Sequence, residues 1–352
     1  MKNLKLSFFG IIITILIFVV TQGYKKTPER ETIFDRVVNI PKELVLDIPN
    51  LPPLCDEIAD LKKGFINIEN GKLYYEEEGQ GIPIVLINGG PGGTHHLFHP
   101  YFSQLKDTAR VIYYDQRGTG KSSKDDTGKT YTLKQAVEDL ESLRKALKID
   151  KWVVLGWSYG GLLAQLYALK YPEYCKALIL GAATTGISDY ATHSEKELMF
   201  ISQAERDVIQ NILEMVKDGK LNLSQGIYNS LQAGDWKRYC FYKPTNKEVI
   251  RIALYGINRA PGFEELMRIE SDNINKKSFL RNKFDDFEIP TLIAEAKWEM
   301  LWWDPNRIEV MRKNYPNAQI EIFEKSGHMI FVDEPERFFA IVRKFLEEIK
   351  KT

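Results

Sequence analysis

One serine of this chain lies in a sequence pattern that activates a hydroxyl group for nucleophilic attack. Residues 156–160 read Gly-Trp-Ser-Tyr-Gly, with Ser158 at the centre. An apolar stretch, residues 152–155, precedes this pattern, and a helical pattern with small residues follows it. This order of strand, turn and helix is typical of a nucleophile elbow, where glycines relieve crowding at a strained turn. The pattern predicts that Ser158 stands exposed above a sheet edge as a nucleophile.

A serine hydroxyl also needs a base to remove its proton. The chain has five histidines, of which His328 follows a predicted strand over residues 319–323 and lies far downstream of Ser158. That order along the chain, nucleophile then acid then base, accompanies this type of elbow. We therefore predict that His328 is the base.

Three other histidines, His95, His96 and His99, are clustered beside a glycine-rich loop. A metal site is the alternative interpretation of this cluster, but no carboxylate lies near it in the sequence. We therefore expect neither a metal ion nor another cofactor.

The third member of the predicted triad is a carboxylate after the strand predicted over residues 291–294. The candidates are Glu295, Glu299 and Asp304. Glu295 continues the strand directly and is too early, whereas Glu299 lies in the loop beyond it. A glutamate orients an imidazole as an aspartate does, because the group required is a carboxylate acceptor. Glu299 is the preferred acid and Asp304 is the alternative.

Residues 88–93, Asn-Gly-Gly-Pro-Gly-Gly, follow another apolar stretch at residues 84–87. Residues without side chains let backbone N–H groups approach a reacting carbonyl. We predict that the N–H groups of Gly90 and Tyr159 form an oxyanion hole, in which one donor contributes about 3–4 kcal/mol to transition-state stabilisation.

Strand patterns alternate with helical patterns along most of the chain, which predicts a mostly parallel eight-stranded sheet with helices on both faces, an α/β fold. The predicted core covers residues 63–185 and 286–352, and an α-helical cap is inserted at residues 186–285. A proline-rich, extended lead-in occupies residues 27–62. One helix is predicted to begin at Thr132 with a capping box completed by Gln135, and the last to begin over residues 333–336. The predicted strands are residues 65–68, 72–77, 84–87, 111–114, 152–155, 177–180, 291–294 and 319–323.

The first 26 residues have the features of a targeting segment. Lys2 and Lys5 precede a charge-free, mostly apolar run over residues 6–20. As a helix this run would be roughly 22 Å long, shorter than the roughly 30 Å of a membrane core. We expect a signal peptide or an anchor, hence export to a periplasmic or extracellular location, with membrane contact through this segment alone.

The overall composition narrows the class of protein. The 352 residues include 48 Lys and Arg and 48 Asp and Glu, so the net charge is zero and no basic surplus favours nucleic-acid binding. The three cysteines are too few and too scattered for a disulfide framework. We expect a small peptide or ester substrate, and no pattern specifies an oligomeric state.

Four stretches together resemble the proline iminopeptidase group of the α/β-hydrolases. The resemblance covers about residues 64–185 and 289–350, and it implies an α/β-hydrolase fold and aminopeptidase activity. The family usually has histidine at the position of Asn88 and aspartate at the position of Glu299. In the family, the loop that contains Asp115 and Arg117 is mainly scaffold. The four stretches are residues 89–93, residues 115–122 (Asp-Gln-Arg-Gly-Thr-Gly-Lys-Ser), residues 156–161, and Gly327-His328 with residues 333–335.

The family's aminopeptidases bind the free amino end of the substrate with glutamates of the cap. Residues 268–270, Arg-Ile-Glu, resemble one such segment. The resemblance therefore makes Glu270 a candidate for amine binding, and its alternative is a solvated helix position.

Three functions fit these patterns. The first is a serine hydrolase that releases amino-terminal residues, with proline preferred, from short peptides. The second is a carboxylesterase or lactonase that uses the same triad, because one fold serves many chemistries. The third is a non-catalytic binding protein on a hydrolase scaffold, which the intact set of Ser158, His328 and a carboxylate disfavours.

Overall fold

A computed structural model describes residues 45–47, 61–183, 201–235, 280, 287–298 and 307–351. A single eight-stranded sheet organises these residues, with strand order β1-β2-β4-β3-β5-β6-β7-β8. Strand β2 pairs antiparallel with β1 and β4, and the other neighbours pair in parallel. The predicted, mostly parallel eight-stranded sheet is therefore confirmed. The strands are β1 (Lys62–Ile68), β2 (Gly71–Glu78), β3 (Ile82–Ile87), β4 (Ala109–Tyr114), β5 (Trp152–Trp157), β6 (Cys175–Gly181), β7 (Thr291–Ala296) and β8 (Gln319–Phe323).

The central strands are apolar because both faces of the sheet are covered. All six residues of β5 are buried. Val153, Leu155 and Trp157 join one hydrophobic cluster, and Trp152 and Val154 join the other. Successive side chains of a strand point to opposite faces, so each face of β5 contributes to a separate core layer. The strand that precedes Ser158 is thus fixed from both sides.

Seven α-helices fall in the part of the chain described here. The helix predicted at Thr132 is α1, and the Thr132 side chain accepts a hydrogen bond from the Gln135 backbone at 3.1 Å. The predicted reciprocal bond is not the one formed, because the Gln135 amide donates to Asp139 at 3.0 Å. The helices are α1 (Leu133–Ala146), α2 (Tyr159–Lys170), α3 (Gln203–Lys217), α4 (Leu223–Gln232), α5 (Arg307–Asn314), α6 (Ile330–Asp333) and α7 (Pro335–Lys350).

Helices α3 and α4 lie within the range predicted for the cap. Each begins with a capping box, formed by Ser202 with Glu205 and by Asn222 with Gln225. These reciprocal bonds satisfy backbone N–H groups that a helix leaves unpaired at its start. The described part of the predicted cap therefore contains two helices with capped starts.

A short piece of the predicted lead-in contacts α4. The backbone N–H of Leu46 donates to Oδ1 of Asn229 at 2.8 Å, and Nδ2 of Asn229 donates to the Leu46 carbonyl at 3.2 Å. Asn229 is buried in α4, and its side-chain amide pairs with the Leu46 peptide as a neighbouring strand would. The segment of residues 45–47 thus lies against α4.

No helix within the described residues is both long and apolar enough to cross a membrane. The predicted targeting segment, residues 1–26, lies outside the described ranges. So do most of the predicted lead-in and residues 186–200, 236–279 and 281–285 of the predicted cap.

Candidate active site

Ser158 lies at the turn between β5 and α2, where the elbow pattern predicts it. Its backbone has φ 55° and ψ −124°, a conformation that residues other than glycine rarely adopt. Two main-chain bonds hold this turn: the Ser158 N–H donates to the Gly181 carbonyl at 3.0 Å, and the Gly161 N–H donates to the Ser158 carbonyl at 2.9 Å. The strained conformation is therefore maintained by neighbouring backbone.

The Ser158 hydroxyl does not cap the helix that it precedes. A serine at an N-cap position usually accepts a hydrogen bond from a backbone N–H of the first turn. The side chain of Ser158 makes no such bond to α2 and is half-buried. Its hydroxyl is thus not engaged as a helix cap, as a nucleophile requires.

Glycines surround Ser158 because the neighbouring chain segments approach too closely for side chains. A Cβ atom at Gly160 would lie 2.2 Å from the Ile87 carbonyl oxygen, and one at Gly156 would lie 2.3 Å from the Gly160 carbonyl oxygen. A Cβ atom at Gly89 would lie 2.9 Å from Cβ and 3.5 Å from Oγ of Ser158. The glycine-rich loop after β3 therefore packs directly against the serine.

Gly90, a predicted oxyanion donor, follows Gly89 in this loop. Gly90 has φ +125°, and the Gly93 N–H closes the loop on the Gly89 carbonyl at 3.0 Å. Tyr159, the second predicted donor, is the first residue of α2. The first N–H groups of a helix have no partner within it, and they carry the positive end of its dipole. Both predicted donors are thus in segments that flank Ser158.

The side chain of Asn88 anchors the start of the same loop. It is buried, and its Nδ2 donates to the Tyr114 carbonyl at 2.8 Å. The Gln116 amide in turn donates to the Asn88 carbonyl at 3.1 Å. The residue that replaces the family's usual histidine therefore links the ends of β3 and β4.

His328 lies in the loop after β8 and is half-buried. The indole N–H of Trp157 donates to the His328 carbonyl at 3.2 Å. Since Trp157 immediately precedes Ser158, the structure links the backbone of the predicted base to the residue next to the predicted nucleophile. His328, which the order along the sequence selects as the base, therefore lies at the same end of the sheet as Ser158.

Glu295, the earliest candidate acid, forms a different contact. It is fully buried in β7, and the Arg307 Nε lies 3.2 Å from its Oε1. The Arg307 guanidinium also donates to the Ala183 carbonyl. Because side chains alternate along a strand, Glu295 shares its face of the sheet with Ile293, opposite to Ala294 and Ala296. Its carboxylate is thus engaged by Arg307.

The other predicted site residues, Glu299, Asp304 and Glu270, lie outside the described residues. Trp298, the residue before Glu299, is described. Its backbone N–H donates to the Ser326 carbonyl at 3.3 Å, and its indole N–H donates to the Glu324 carbonyl at 3.0 Å. The chain thus leaves β7 in contact with the loop that carries His328.

Comparison with known proteins assigns the family. The family model described as the alpha/beta hydrolase fold matches residues 82–335. The chain belongs to this family. It is a hydrolase, and the predicted fold class is confirmed.

Several relatives of this hydrolase are proline iminopeptidases. That of Clostridium botulinum is 29% identical over 82% of this chain and 99% of its own length. That of Saccharolobus solfataricus is 26% identical over 82% of this chain and 95% of its own length. Among solved structures, an α/β fold family hydrolase from Bacillus anthracis has a TM-score of 0.63 at 22% identity, over 82% of this chain and 99% of its own. These findings confirm the predicted resemblance to proline iminopeptidases.

A buried polar network beneath the glycine loop of the hydrolase was not predicted. His95 donates from Nδ1 and from its backbone N–H to Oδ1 of Asp115, both at 2.8 Å. His99 donates from Nε2 to Oε2 of Glu76 at 2.9 Å, and the Tyr74 hydroxyl donates to Oε1 of the same carboxylate at 2.5 Å. The expectation that this histidine cluster has no carboxylate partner is therefore wrong.

The reason for this error is the sheet topology. Glu76 lies in β2 and Asp115 directly follows β4, and the pairing of these two strands brings both carboxylates under the histidines. Within the described residues, no group of three or more potential ligands is arranged to hold a metal ion. Sequence spacing alone carries no sign of the Glu76 contact.

The network also sets the charge of its central carboxylate. Burial by itself raises the pKa of Glu76, but the hydrogen bond from His99, the charge of His95 and the hydrogen bond from Tyr74 lower that pKa to about 2. Glu76 is therefore ionised at neutral pH, although its side chain is buried.

The loop containing Asp115 and Arg117 makes structural contacts. The Arg117 guanidinium binds both carboxylate oxygens of Asp139 at 2.8 Å. Asp115 also accepts from the Lys121 backbone N–H at 2.9 Å, and a Cβ atom at Gly120 would lie 2.1 Å from its Oδ2. These contacts occupy both charged side chains within the scaffold.

Proposed function

We propose that this hydrolase uses Ser158, His328 and Glu299 as a catalytic triad and releases amino-terminal residues, with proline preferred, from short peptides. The observation that carries the proposal is the positive φ of Ser158 in a turn against which the glycine loop packs. The peptidase part is supported by relatives that are named proline iminopeptidases.

The reaction follows from the roles of these groups. The Ser158 hydroxyl oxygen attacks the carbonyl carbon of the scissile amide while His328 takes its proton. The N–H groups of Gly90 and Tyr159 stabilise the negative charge that develops on the carbonyl oxygen. His328 then gives its proton to the leaving amine, and an acyl group remains on Ser158. Water, deprotonated by His328, releases the acyl group and restores the serine.

Glu299 is proposed as the carboxylate that orients His328. Two contacts support this choice. Glu295 is engaged by Arg307, and Trp298, which precedes Glu299, bonds to the His328 loop. Substitution of the true acid by its amide leaves the imidazole in the wrong tautomer and lowers kcat by about 10⁴-fold. We expect that loss in Glu299→Gln, and near wild-type turnover in Asp304→Asn; the reverse pattern would assign the role to Asp304.

Glu270 is proposed to bind the free amino group of the substrate, and this assignment depends on the family resemblance. We expect Glu270→Gln to raise KM for prolyl-p-nitroanilide and to leave KM for p-nitrophenyl butyrate unchanged, because the ester has no amino group. Equal effects on the two substrates would contradict the assignment.

The test of the proposed activity compares turnover of prolyl-p-nitroanilide, its N-acetyl derivative and p-nitrophenyl butyrate by the same preparation. Ser158→Ala is the blank, and we expect its turnover to fall by about 10⁶-fold. The proposal predicts that the free prolyl amide is cleaved and the acetylated one is not. Turnover retained by Ser158→Ala would contradict the role of the serine.

An esterase or lactonase is the second candidate. A relative from Shewanella oneidensis favours this candidate. It is named cis-3-alkyl-4-alkyloxetan-2-one decarboxylase, and an oxetan-2-one is a four-membered lactone. This relative is 26% identical over 84% of this chain and 91% of its own length. In the same assay, turnover of the ester without turnover of the prolyl amide would favour this candidate and would contradict the peptidase proposal.

We also propose that residues 1–26 direct export of the enzyme to a periplasmic or extracellular location. Their two lysines followed by an apolar run support this proposal. Fractionation of cells that express the full chain and a version without residues 1–26 tests it. Equal amounts of both proteins in the cytoplasm would contradict it.

A further inference from the structure

Two tryptophan indoles donate hydrogen bonds to backbone carbonyl groups of the loop that carries His328. At one end, the Trp298 indole N–H donates to the Glu324 carbonyl at 3.0 Å. At the other end, the Trp157 indole N–H donates to the His328 carbonyl at 3.2 Å. The two ends of the loop are therefore fixed by different segments of the chain, one end by the residues that follow β7 and the other by the end of β5.

The carboxylates of two consecutive residues accept hydrogen bonds from backbone N–H groups and one hydroxyl group of the same loop. One oxygen of Glu334, Oε2, accepts from the Lys325 backbone N–H at 2.9 Å and from the Ser326 hydroxyl at 2.7 Å. Oδ2 of Asp333 accepts from the Gly327 backbone N–H at 2.8 Å. Three successive residues before His328 are thus bound by carboxylates, and hydrogen bonds to ionised acceptors are roughly twice as strong as neutral ones.

The Glu334 side chain binds the loop and not the helix that Glu334 precedes. Glu334 is the N-cap residue of α7, yet its side chain makes no capping bond to that helix. The carboxylate turns back to the loop instead, and the Arg337 guanidinium lies 3.8 Å from its other oxygen. The two oxygens of Glu334 thus contact the loop and Arg337.

We propose that Glu334 is a positioning residue for the reaction: by fixing residues 325–327, its carboxylate keeps the His328 imidazole where it meets the Ser158 hydroxyl. This inference rests on the proposed roles of Ser158 and His328. Glu334 does not touch the reacting atoms and acts through the loop. A displacement of about 1 Å in a catalytic group costs about 100-fold in rate, so the loss of two bonds to the loop affects the chemical step more than the fold.

The experiment measures how fast a fluorophosphonate probe labels Ser158 in the full-length protein. We expect Glu334→Ala to react 10- to 100-fold more slowly than wild type. Glu334→Gln keeps an oxygen that accepts both bonds, so we expect its rate within about threefold of wild type. Glu336→Ala is the matched control, because Glu336 is exposed and lies in the first turn of the same helix. We expect no change from it.

A second readout separates positioning from a merely structural effect. Titration with the probe counts reactive sites, and the labelling rate measures the reactivity of each site. A structural role would lower the number of sites and leave the rate at each site unchanged. Positioning lowers the rate per site, and it lowers kcat for p-nitrophenyl butyrate with KM unchanged. Ser326→Ala removes one of the two bonds, so we expect a rate per site between those of Glu334→Ala and wild type.

The outcomes that overturn the inference differ from those that overturn the proposed function. A wild-type rate per site in Glu334→Ala would overturn the positioning role alone. If Glu334→Ala did not fold, a wild-type rate per site in Ser326→Ala would do the same. A wild-type protein that the probe does not label would overturn the proposed triad and the positioning role with it. Labelling without cleavage of the prolyl amide would overturn only the peptidase assignment. The labelling rates per site would still test the role of Glu334.

Discussion

The two halves of the candidate active site are held by different kinds of interaction. On the nucleophile side, main-chain hydrogen bonds and the absence of side chains at Gly89, Gly156 and Gly160 fix the turn at Ser158. On the base side, carboxylates and indoles from three other segments fix the loop of His328. Backbone geometry therefore positions the serine, and side chains position the histidine.

This difference explains why the two sides differ in how easily a sequence reveals them. Close backbone packing demands glycine at fixed spacing, so it leaves a local motif around Ser158. Side-chain hydrogen bonds come from residues distant in sequence, as the bond from Trp157 to His328 shows. Substitutions should therefore disturb the turn at Ser158 through steric conflict, and they should disturb the His328 loop through loss of individual hydrogen bonds.

The largest expected effect is steric and falls on the nucleophile side. In Gly160→Ala the new methyl group would meet the Ile87 carbonyl oxygen at 2.2 Å and the Asn88 carbonyl oxygen at 2.6 Å. We expect the free energy of unfolding to fall by about 3 kcal/mol or more, measured by urea denaturation.

The matched control for this variant is Gly219→Ala. Gly219 has φ +72°, but a Cβ atom there would meet nothing within 4 Å. We expect a loss of about 1 kcal/mol from backbone strain alone. Equal losses in the two variants would mean that close packing does not maintain the elbow.

An intermediate effect is expected from the buried network beneath the glycine loop, and it depends on pH. The pKa of Glu76 is lowered from 4.5 in the unfolded chain to about 2 in the fold. Its carboxylate therefore stabilises the fold above about pH 4.5, and this contribution is lost as the pH falls toward 2. We expect Glu76→Gln to lower the free energy of unfolding by about 2 kcal/mol at pH 7 and by much less at pH 3.

Urea denaturation of both proteins at pH 7, 5 and 3 measures this effect. The difference between wild type and Glu76→Gln should be about the same at pH 7 and pH 5 and smaller at pH 3. A difference that is constant over this range would show that ionised Glu76 does not support the loop.

The smallest effect on stability is expected on the base side, where activity should suffer more than the fold. Trp157→Phe removes the indole N–H that binds the His328 carbonyl and keeps an aromatic ring against Phe331, whose centroid lies 4.7 Å away. We expect a loss of about 1 kcal/mol in stability and about tenfold in kcat for the ester substrate.

Trp152→Phe provides the control, because Trp152 is a buried tryptophan at the other end of the same strand. It should alter stability without altering kcat. If both variants lowered kcat equally, the bond from Trp157 would have no special role in holding His328.

Much of the fold could be predicted from sequence, since its strands are short apolar runs bounded by turns. Each of the eight predicted strands lies within an observed one, and the elbow at Ser158 was predicted from glycine spacing and its flanking elements. These features depend on residues that are neighbours in the chain.

Features that depend on distant partners could not be predicted in this way. The sequence places Glu334 in a helix start and in one stretch of the family resemblance, but it does not indicate that the side chain binds the His328 loop. Gln135 was expected to complete a capping box but bonds to Asp139 instead. Glu76 was not associated with the histidine cluster, because only the pairing of β2 with β4 places it there. In each case the helix or strand was predictable and the partner of its polar side chain was not.

The proposed reaction depends on Ser158 as a nucleophile that His328 activates. The most direct test treats the wild-type protein and His328→Ala with a fluorophosphonate and maps the modified residue by mass spectrometry of the digested protein. We expect a single phosphonyl adduct on Ser158 in wild type and labelling at least about 10³-fold slower in His328→Ala. An adduct on another residue, or equal labelling rates in the two proteins, would contradict it.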